Sequence, residues 1–207
     1  MIKLDMDSVK KRFEGRRCKI LGAKNEFSVL APLIEIEGEL NLLYEVRAKD
    51  LKNQPGEICF PGGKIEHGEN PKTAAVRETC EEISISWDQV NIIAPLDPIF
   101  SASNFTMYTY LGEIHNASSG EINFSKDEVE ELFFVPLDFF LKTKPEQLDY
   151  KLIPDIAPDF PYEKIGFPDG YRWRNGFVDL PVYNYEGRII WGLTGRITKN
   201  IAEILSD

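Results

Sequence analysis

The stretch Gly63-Lys-Ile-Glu-His-Gly-Glu69-Asn-Pro-Lys-Thr-Ala-Ala-Val-Arg77-Glu78-Thr79-Cys80-Glu81-Glu82-Ile83-Ser84-Ile85 decides the fold. Asn70-Pro71 is a helix start, with Asn as N-cap and Pro in the first turn. From there to about residue 83 the pattern is helical. Glu78, Glu81 and Glu82 then stand at i, i+3 and i+4, on one face, while Val76, Thr79, Cys80 and Ile83 form the inward face. Two carboxylates about 5 Å apart repel by roughly 3 kcal/mol at an effective dielectric near 20. They also sit at the negative end of the helix dipole, where acids are disfavoured. A solvated acidic face would explain them. So would a cation site, because the Gly/Pro-rich loop just before the helix offers backbone carbonyls. Carboxylate and carbonyl oxygens are hard ligands suited to Mg²⁺, with substrate phosphate completing the shell.

Working outward, 5–14 reads as a short amphipathic helix with Met6, Val9 and Phe13 on one side. Residues 27–36 read as a strand in which Pro32 predicts an edge or a bulge. Glu37-Gly38-Glu39 is a turn, and 40–46 is the returning strand. After the helix, 90–94 and 105–114 carry strand signals, and 116–120 reads as a loop. The acidic run 127–131 precedes a strand at 132–135, and Pro136 opens a short helix through 141. Residues 177–185 and 188–191 suggest a last hairpin, and 193–205 a terminal helix. The stretch 145–176 combines five prolines with Phe160, Tyr162, Phe167, Tyr171 and Trp173. It is expected to pack as a structured excursion over the core. Strands mixed with helices indicate one α/β or α+β layered domain over 1–207.

Composition narrows the function. With 24 basic and 34 acidic residues the net charge is −10, a field that repels phosphate backbones and argues against general nucleic-acid binding. Cys18, Cys59 and Cys80 are widely spaced, which disfavours a disulfide framework or a zinc site and suits a reduced, cytoplasmic setting. The amino-terminal residues lack the apolar run of a signal peptide, and no 18-residue apolar run suggests a membrane span.

Gly63, Glu69, Arg77, Glu78, Glu81 and Glu82 match the Nudix box: G, five residues, E, seven residues, REUxEExGU, with U apolar. Ile85 fits the last apolar position. Thr79 replaces an aliphatic residue, and Ser84 stands in place of a glycine that would take a left-handed conformation after the helix. The chain thus resembles the Nudix hydrolases. The resemblance implies an α/β/α sandwich with a mixed sheet that cleaves a nucleoside diphosphate linked to another moiety, with Mg²⁺ (or Mn²⁺) as cofactor. It implies Glu81 and Glu82 as metal ligands with the carbonyl of Gly62. Glu78 would bind metal or orient and deprotonate water, Arg77 would hold Glu78, and Glu69 would support the site. A further acid from a later loop would be Glu128, with Glu131 next and Glu130 beside them.

The segment from Arg47 through Leu51, Gly56 and Phe60-Pro-Gly-Gly63 resembles the coenzyme A pyrophosphatase branch, as does Ile190-Trp-Gly-Leu-Thr-Gly-Arg-Ile197. Lys52 and Gln54 replace an arginine and a histidine of that branch. Lysine keeps the charge but loses the bidentate grip on phosphate. Arg47, Lys49 and Lys52, together with Gly63, are therefore the expected substrate-binding residues. The implied reaction splits CoA or acyl-CoA into 3′,5′-ADP and (acyl-)4′-phosphopantetheine. A Nudix enzyme acting on ADP-ribose, a dinucleotide or a nucleoside triphosphate remains an alternative, as does a non-catalytic Nudix-fold ligand sensor. The expected partner is a small nucleotide diphosphate, and a homodimer is compatible with the sequence. Tyr183 and Trp191 are candidates for base stacking or for the core. His67 and His115 read as surface residues, and Cys59 and Cys80 as small apolar core residues.

Overall fold

A central hairpin that splits along its length organises the molecule. In the computed structural model, which describes residues 5–16, 20–115 and 122–206, β1 (Asn25–Ile36) and β2 (Glu39–Arg47) pair antiparallel from Leu33↔Leu42 to Ile36↔Glu39. Glu37 and Gly38 both take positive φ in the turn, the backbone twist that suits two antiparallel strands. Away from the turn the strands diverge. β2 continues against β3 (Ile58–Cys59), and β1 against β4 (Gly62–Lys64). The 58–64 segment is thus a wedge between the two strands. Leu30 N–H donates to the carbonyl of Pro61 and Arg47 N–H to that of Glu57, both at 3.0 Å.

Pro32 lies neither at an edge nor at a bulge. β1 is central, with β7 (Phe105–Ile114) parallel to it on the other side. The proline falls between Val29, the last residue paired with β4, and Leu33, the first paired with β2. Its missing N–H faces the point where the strand changes partner, so no ladder bond is lost. β5 (Val90–Pro95) and β6 (Ile99–Ser101) pair with β7, and β8 (Val129–Pro136) pairs with β2, completing an eight-stranded mixed sheet.

Helices cover both faces. Apart from α1 (Met6–Phe13), they are α2 (Pro71–Glu82) on one face and α3 (Leu137–Lys142) and α4 (Gly192–Ser206) on the other. The period of two along β2 sends Leu42 and Tyr44 to the α3/α4 side, where they join Phe133, Phe140, Tyr183 and Ile197. Leu43 faces α2 and packs with Ile83 and Ile114. The Tyr44 hydroxyl lies 2.9 Å from Thr198 Oγ1, and Thr194 Oγ1 donates to the carbonyl of Ile58, so α4 is pinned to the sheet and to the wedge. The result is the α/β/α sandwich with a mixed sheet.

α1 is the short amphipathic helix expected at 5–14, with Met6 and Phe13 68% and 64% exposed and no residue of the helix buried. One expectation is corrected. The 145–176 stretch does not pack over the core. It supplies β9 (Glu146–Leu152), which pairs with β10 (Gly176–Tyr185), and β10 pairs in turn with β11 (Arg188–Ile190). Phe160, Tyr162 and Trp173, and Phe167 with Tyr171, meet edge to face around a short 3₁₀ turn (Tyr162–Ile165). These rings contact one another while Phe167, Tyr171 and Trp173 stay exposed, so the arm is ordered by edge-to-face pairs rather than by a core beneath it. Cys18 and the loop expected at 116–120 lie outside the described residues.

Candidate active site

The wedge and α2 meet at the glycine pair. Asn70 caps the helix, its Oδ1 accepting from Thr73 N–H at 2.9 Å. Ser28 Oγ donates to the carbonyl of Pro71, which ties the helix start to β1. A Cβ at Gly62 would lie 2.4 Å from the Ser28 carbonyl oxygen and 2.6 Å from Val29 Cα. One at Gly63 would lie 2.3–2.5 Å from the carboxylate of Glu78. The first glycine lets the wedge approach β1, and the second lets Glu78 lie against the backbone.

Arg77 is the hub. Its Nε and Nη2 reach both oxygens of Glu69 at 3.0 and 3.1 Å, and Nη1 reaches Glu78 at 2.9 Å and Glu81 at 3.1 Å. Nη2 also donates to the carbonyl of Lys64. Glu69 in turn accepts from Glu66 N–H. The fork on Glu69 draws that carboxyl below its usual range, and Arg77 is stabilised further in its charged form.

The three acids of α2 do not share one solvent face. Glu81 is exposed, Glu78 is partly covered, and Glu82 is buried beside Thr79 and Ile83. The inward face expected for Cys80 is thus partly taken by Glu82, which is buried while Cys80 is half-buried. Glu82 Oε2 accepts from Gly62 N–H at 2.7 Å. Burial, then the charge of Glu45, raises the Glu82 carboxyl well above the carboxylate range, and burial also raises Glu78.

Glu45 is the residue that the sequence motifs did not mark. It is fully buried on β2, on the α2 side, with Oε1 accepting from Cys59 Sγ–H at 3.1 Å. Oε2 is buried with no hydrogen-bond partner. Burial raises its carboxyl, and the charges of Glu128 and Glu78 add to that. A lone acid at an inward position of an otherwise apolar strand was the available signal. Cys59 and Cys80 are free thiols raised by burial, so neither is a nucleophile.

The loop acids separate. Glu130 and Glu131 belong to β8, where neighbours point to opposite faces. Glu130 pairs with Lys49 at 2.9 Å and Glu131 with Arg188. Glu128 precedes the strand, exposed, and its charge acts on Glu45, Glu78 and Glu82. Among the described residues, no three His, Cys, Asp or Glu side chains are already gathered about one ion-sized centre. Glu78 and Glu81 are bound to Arg77, and Glu82 to the N–H of Gly62.

Beside the glycine pair lies a cavity of about 620 Å³. Arg47, Lys52, Asn53, Gln54 and Glu57 form its polar side, and Phe27, Phe60, Phe105, Met107 and Leu193 its apolar side; Gly62, Gly63, Thr194 and Ile197 also line it. Lys49 is turned away onto Glu130. Tyr183 is core against Phe140, while Trp191 is exposed and does not line the cavity. His67 is exposed, and His115 Nε2 sits 2.9 Å from the carbonyl of Asp88.

The carboxylate helix and its arginine lie within residues 24–156, which match the NUDIX domain. The chain belongs to the Nudix family. It is 38% identical over 139 residues to peroxisomal coenzyme A diphosphatase NUDT7 of Mus musculus, covering 67% of this chain and 57% of that protein. Nudix hydrolase 3 of Caenorhabditis elegans is 33% identical, over 84% of this chain and 70% of its own length. Mitochondrial coenzyme A diphosphatase NUDT8 of Homo sapiens is 25% identical, over 86% and 69%. Among the described residues no helix is long and apolar enough to cross a membrane.

Proposed function

We propose that this protein is a divalent-metal-dependent hydrolase that splits the diphosphate of CoA or an acyl-CoA into 3′,5′-ADP and (acyl-)4′-phosphopantetheine. One observation carries the reading. The two segments that resemble the CoA branch, Arg47 to Gly63 and Ile190 to Ile197, contribute to the walls of the same cavity, which opens at the glycine pair beside Glu78 and Glu82. Its polar side suits phosphate and its apolar side suits the rest of a CoA-sized ligand.

The donor set fits a hard divalent ion: buried carboxylates without a cationic partner, at Glu82 and Glu45, face a row of further acids. Glu78, Glu81, Glu82, the carbonyl of Gly62 and Glu128 would hold Mg²⁺ or Mn²⁺. Of the loop acids, Glu128 is favoured because Lys49 and Arg188 occupy the other two. The ion supplies charge neutralisation on the diphosphate oxygens and acidifies a water molecule. Glu78 would accept the proton of the attacking water, helped by a carboxyl already raised by burial. Arg77 orients Glu78, and Glu69 orients Arg77. Arg47 and Lys52 receive a phosphate. The water oxygen bonds to phosphorus, the bond from that phosphorus to the bridging oxygen breaks, and the departing phosphate keeps the electron pair. Residues 1–207 form one Nudix unit carrying the 145–176 arm, and its free thiols at Cys59 and Cys80 suit a reduced compartment such as the cytoplasm.

The test is a substrate panel at equal concentration: CoA, acetyl-CoA, ADP-ribose, NADH and nucleoside triphosphates, each with Mg²⁺. CoA or its thioester is the expected preference. A clear preference for ADP-ribose would defeat the CoA reading, and turnover undiminished in both Glu81→Gln and Glu82→Gln would defeat the metal assignment.

A further inference from the structure

The Nudix box accounts for the acids of α2 but not for the carboxylate beneath them. Glu45 lies on β2, where the strand has parted from β1 and pairs with Cys59 of the wedge. The alternation along β2 places it with Leu43 on the α2 side. It is fully buried, and the Cys59 thiol hydrogen-bonds Oε1, which fixes the plane of the carboxylate. Oε2 is left buried with no protein donor. The charges that act on it are those of Arg47, Glu78 and Glu128, and it in turn acts on Glu82. Arg47 is committed elsewhere, since its Nε reaches the carbonyl of Asn53 and the residue lines the cavity. A buried carboxylate oxygen without a donor is costly unless a proton or a cation meets it.

We propose that Glu45 is a further ligand of the metal site in this chain, its Oε2 joining Glu82 to hold a divalent cation at the buried end of the acidic row. The inference rests on the metal-dependent reading above. It adds to that reading a residue outside the box and two consequences. The cation is gripped from the sheet as well as from the helix, so α2 cannot shift on β2 without disturbing it. Cys59 becomes a positioning residue for the ligand, through its hydrogen bond to the other oxygen.

The test is Mn²⁺ binding to the full, chelator-stripped chain, followed by titration calorimetry and by the Mn²⁺ electron paramagnetic resonance signal, with no substrate present. Parent, Glu45→Gln, Glu45→Leu and Glu81→Gln are compared, with circular dichroism reporting the fold. Both Glu45 variants are expected to bind Mn²⁺ at least about tenfold more weakly or to lose one equivalent. Their metal-free melting temperatures should not fall, because an unpaired buried carboxylate has been removed. Unchanged affinity and stoichiometry in a folded Glu45 variant, with binding weakened by Glu81→Gln, overturn this inference alone and leave the proton as the partner of Oε2. No Mn²⁺ binding by the parent overturns the metal reading and this inference together. Failure of both Glu45 variants to fold makes Glu45 structural and also overturns it.

Discussion

The backbone N–H of Gly62 donates a 2.7 Å hydrogen bond to Glu82 Oε2, joining the wedge between β1 and β2 to the last turn of α2. The bond depends on how close the wedge comes to β1, and the two neighbouring glycines allow that approach for different reasons.

Gly62→Ala places a methyl group 2.4–2.6 Å from the backbone of Ser28 and Val29. Backbone cannot yield, so a loss of about 2–4 kcal/mol is expected, read as a melting temperature lowered by roughly 5–15 °C. Gly63→Ala meets the end of the Glu78 side chain, which can swing aside. That variant should keep most of its stability and lose catalysis, with kcat down about 100-fold. Equal melting temperatures for the two variants would contradict this division of roles.

The buried pair sets a pH dependence. Burial is the main cause that pushes Glu82 up to about 9 and Glu45 up to about 7, from an ordinary 4.5. The unfolded chain releases these protons near pH 4.5, whereas the folded chain holds them longer and binds more protons in between. Stability of the metal-free protein therefore falls as pH rises from about 5 to 9, by something on the order of 2–4 kcal/mol. Melting curves in a chelator should show this decline, and both Mg²⁺ and Glu82→Gln should flatten it. A parent curve already flat in the chelator would refute the assignment.

Ser84 ends α2 with φ of 53°, in the left-handed region where a glycine meets little strain. The residue is exposed. Ser84→Gly is expected to stabilise the protein by about 0.5–1 kcal/mol, or roughly 1–4 °C in thermal denaturation, with kcat unchanged. A lower melting temperature would show that the serine side chain contributes more than its backbone costs.

Lys52 lines the cavity and Lys49 does not, being paired with Glu130. Lys52→Ala should raise KM for CoA about five- to tenfold more than KM for 3′-dephospho-CoA. Lys49→Ala should leave that ratio unchanged. Equal losses with both substrates would remove Lys52 from recognition of the 3′-phosphate.

Local order was legible in the residues. Asn70-Pro71 starts α2, Glu37-Gly38 turns the hairpin, and the strand periods fall within a few residues of β1, β2, β7 and β10, because capping, turn chemistry and side-chain alternation act over a few neighbours. The spacing of Glu69, Arg77, Glu78 and Glu81 likewise anticipates the hub, since helical geometry converts spacing into proximity. Several features were not legible because they depend on partners distant in the chain. Pro32 is central because β1 exchanges β4 for β2 beside it. The aromatics of 153–175 pack on one another because no core lies under the arm. Glu130 and Glu131 are drawn to opposite sides by the pleat of β8, onto Lys49 and Arg188, whereas Glu128 ahead of the strand acts on the carboxylates through its charge.

The sequence by itself determined the family, the carboxylate helix and the arginine that holds it. Only the tertiary structure decided which acids are buried, that Lys49 turns away from the cavity, and that Glu45 lies beneath Glu82. The reason is physical: a helix brings its own residues together, but a carboxylate loses water only when a second strand and a wedge close over it.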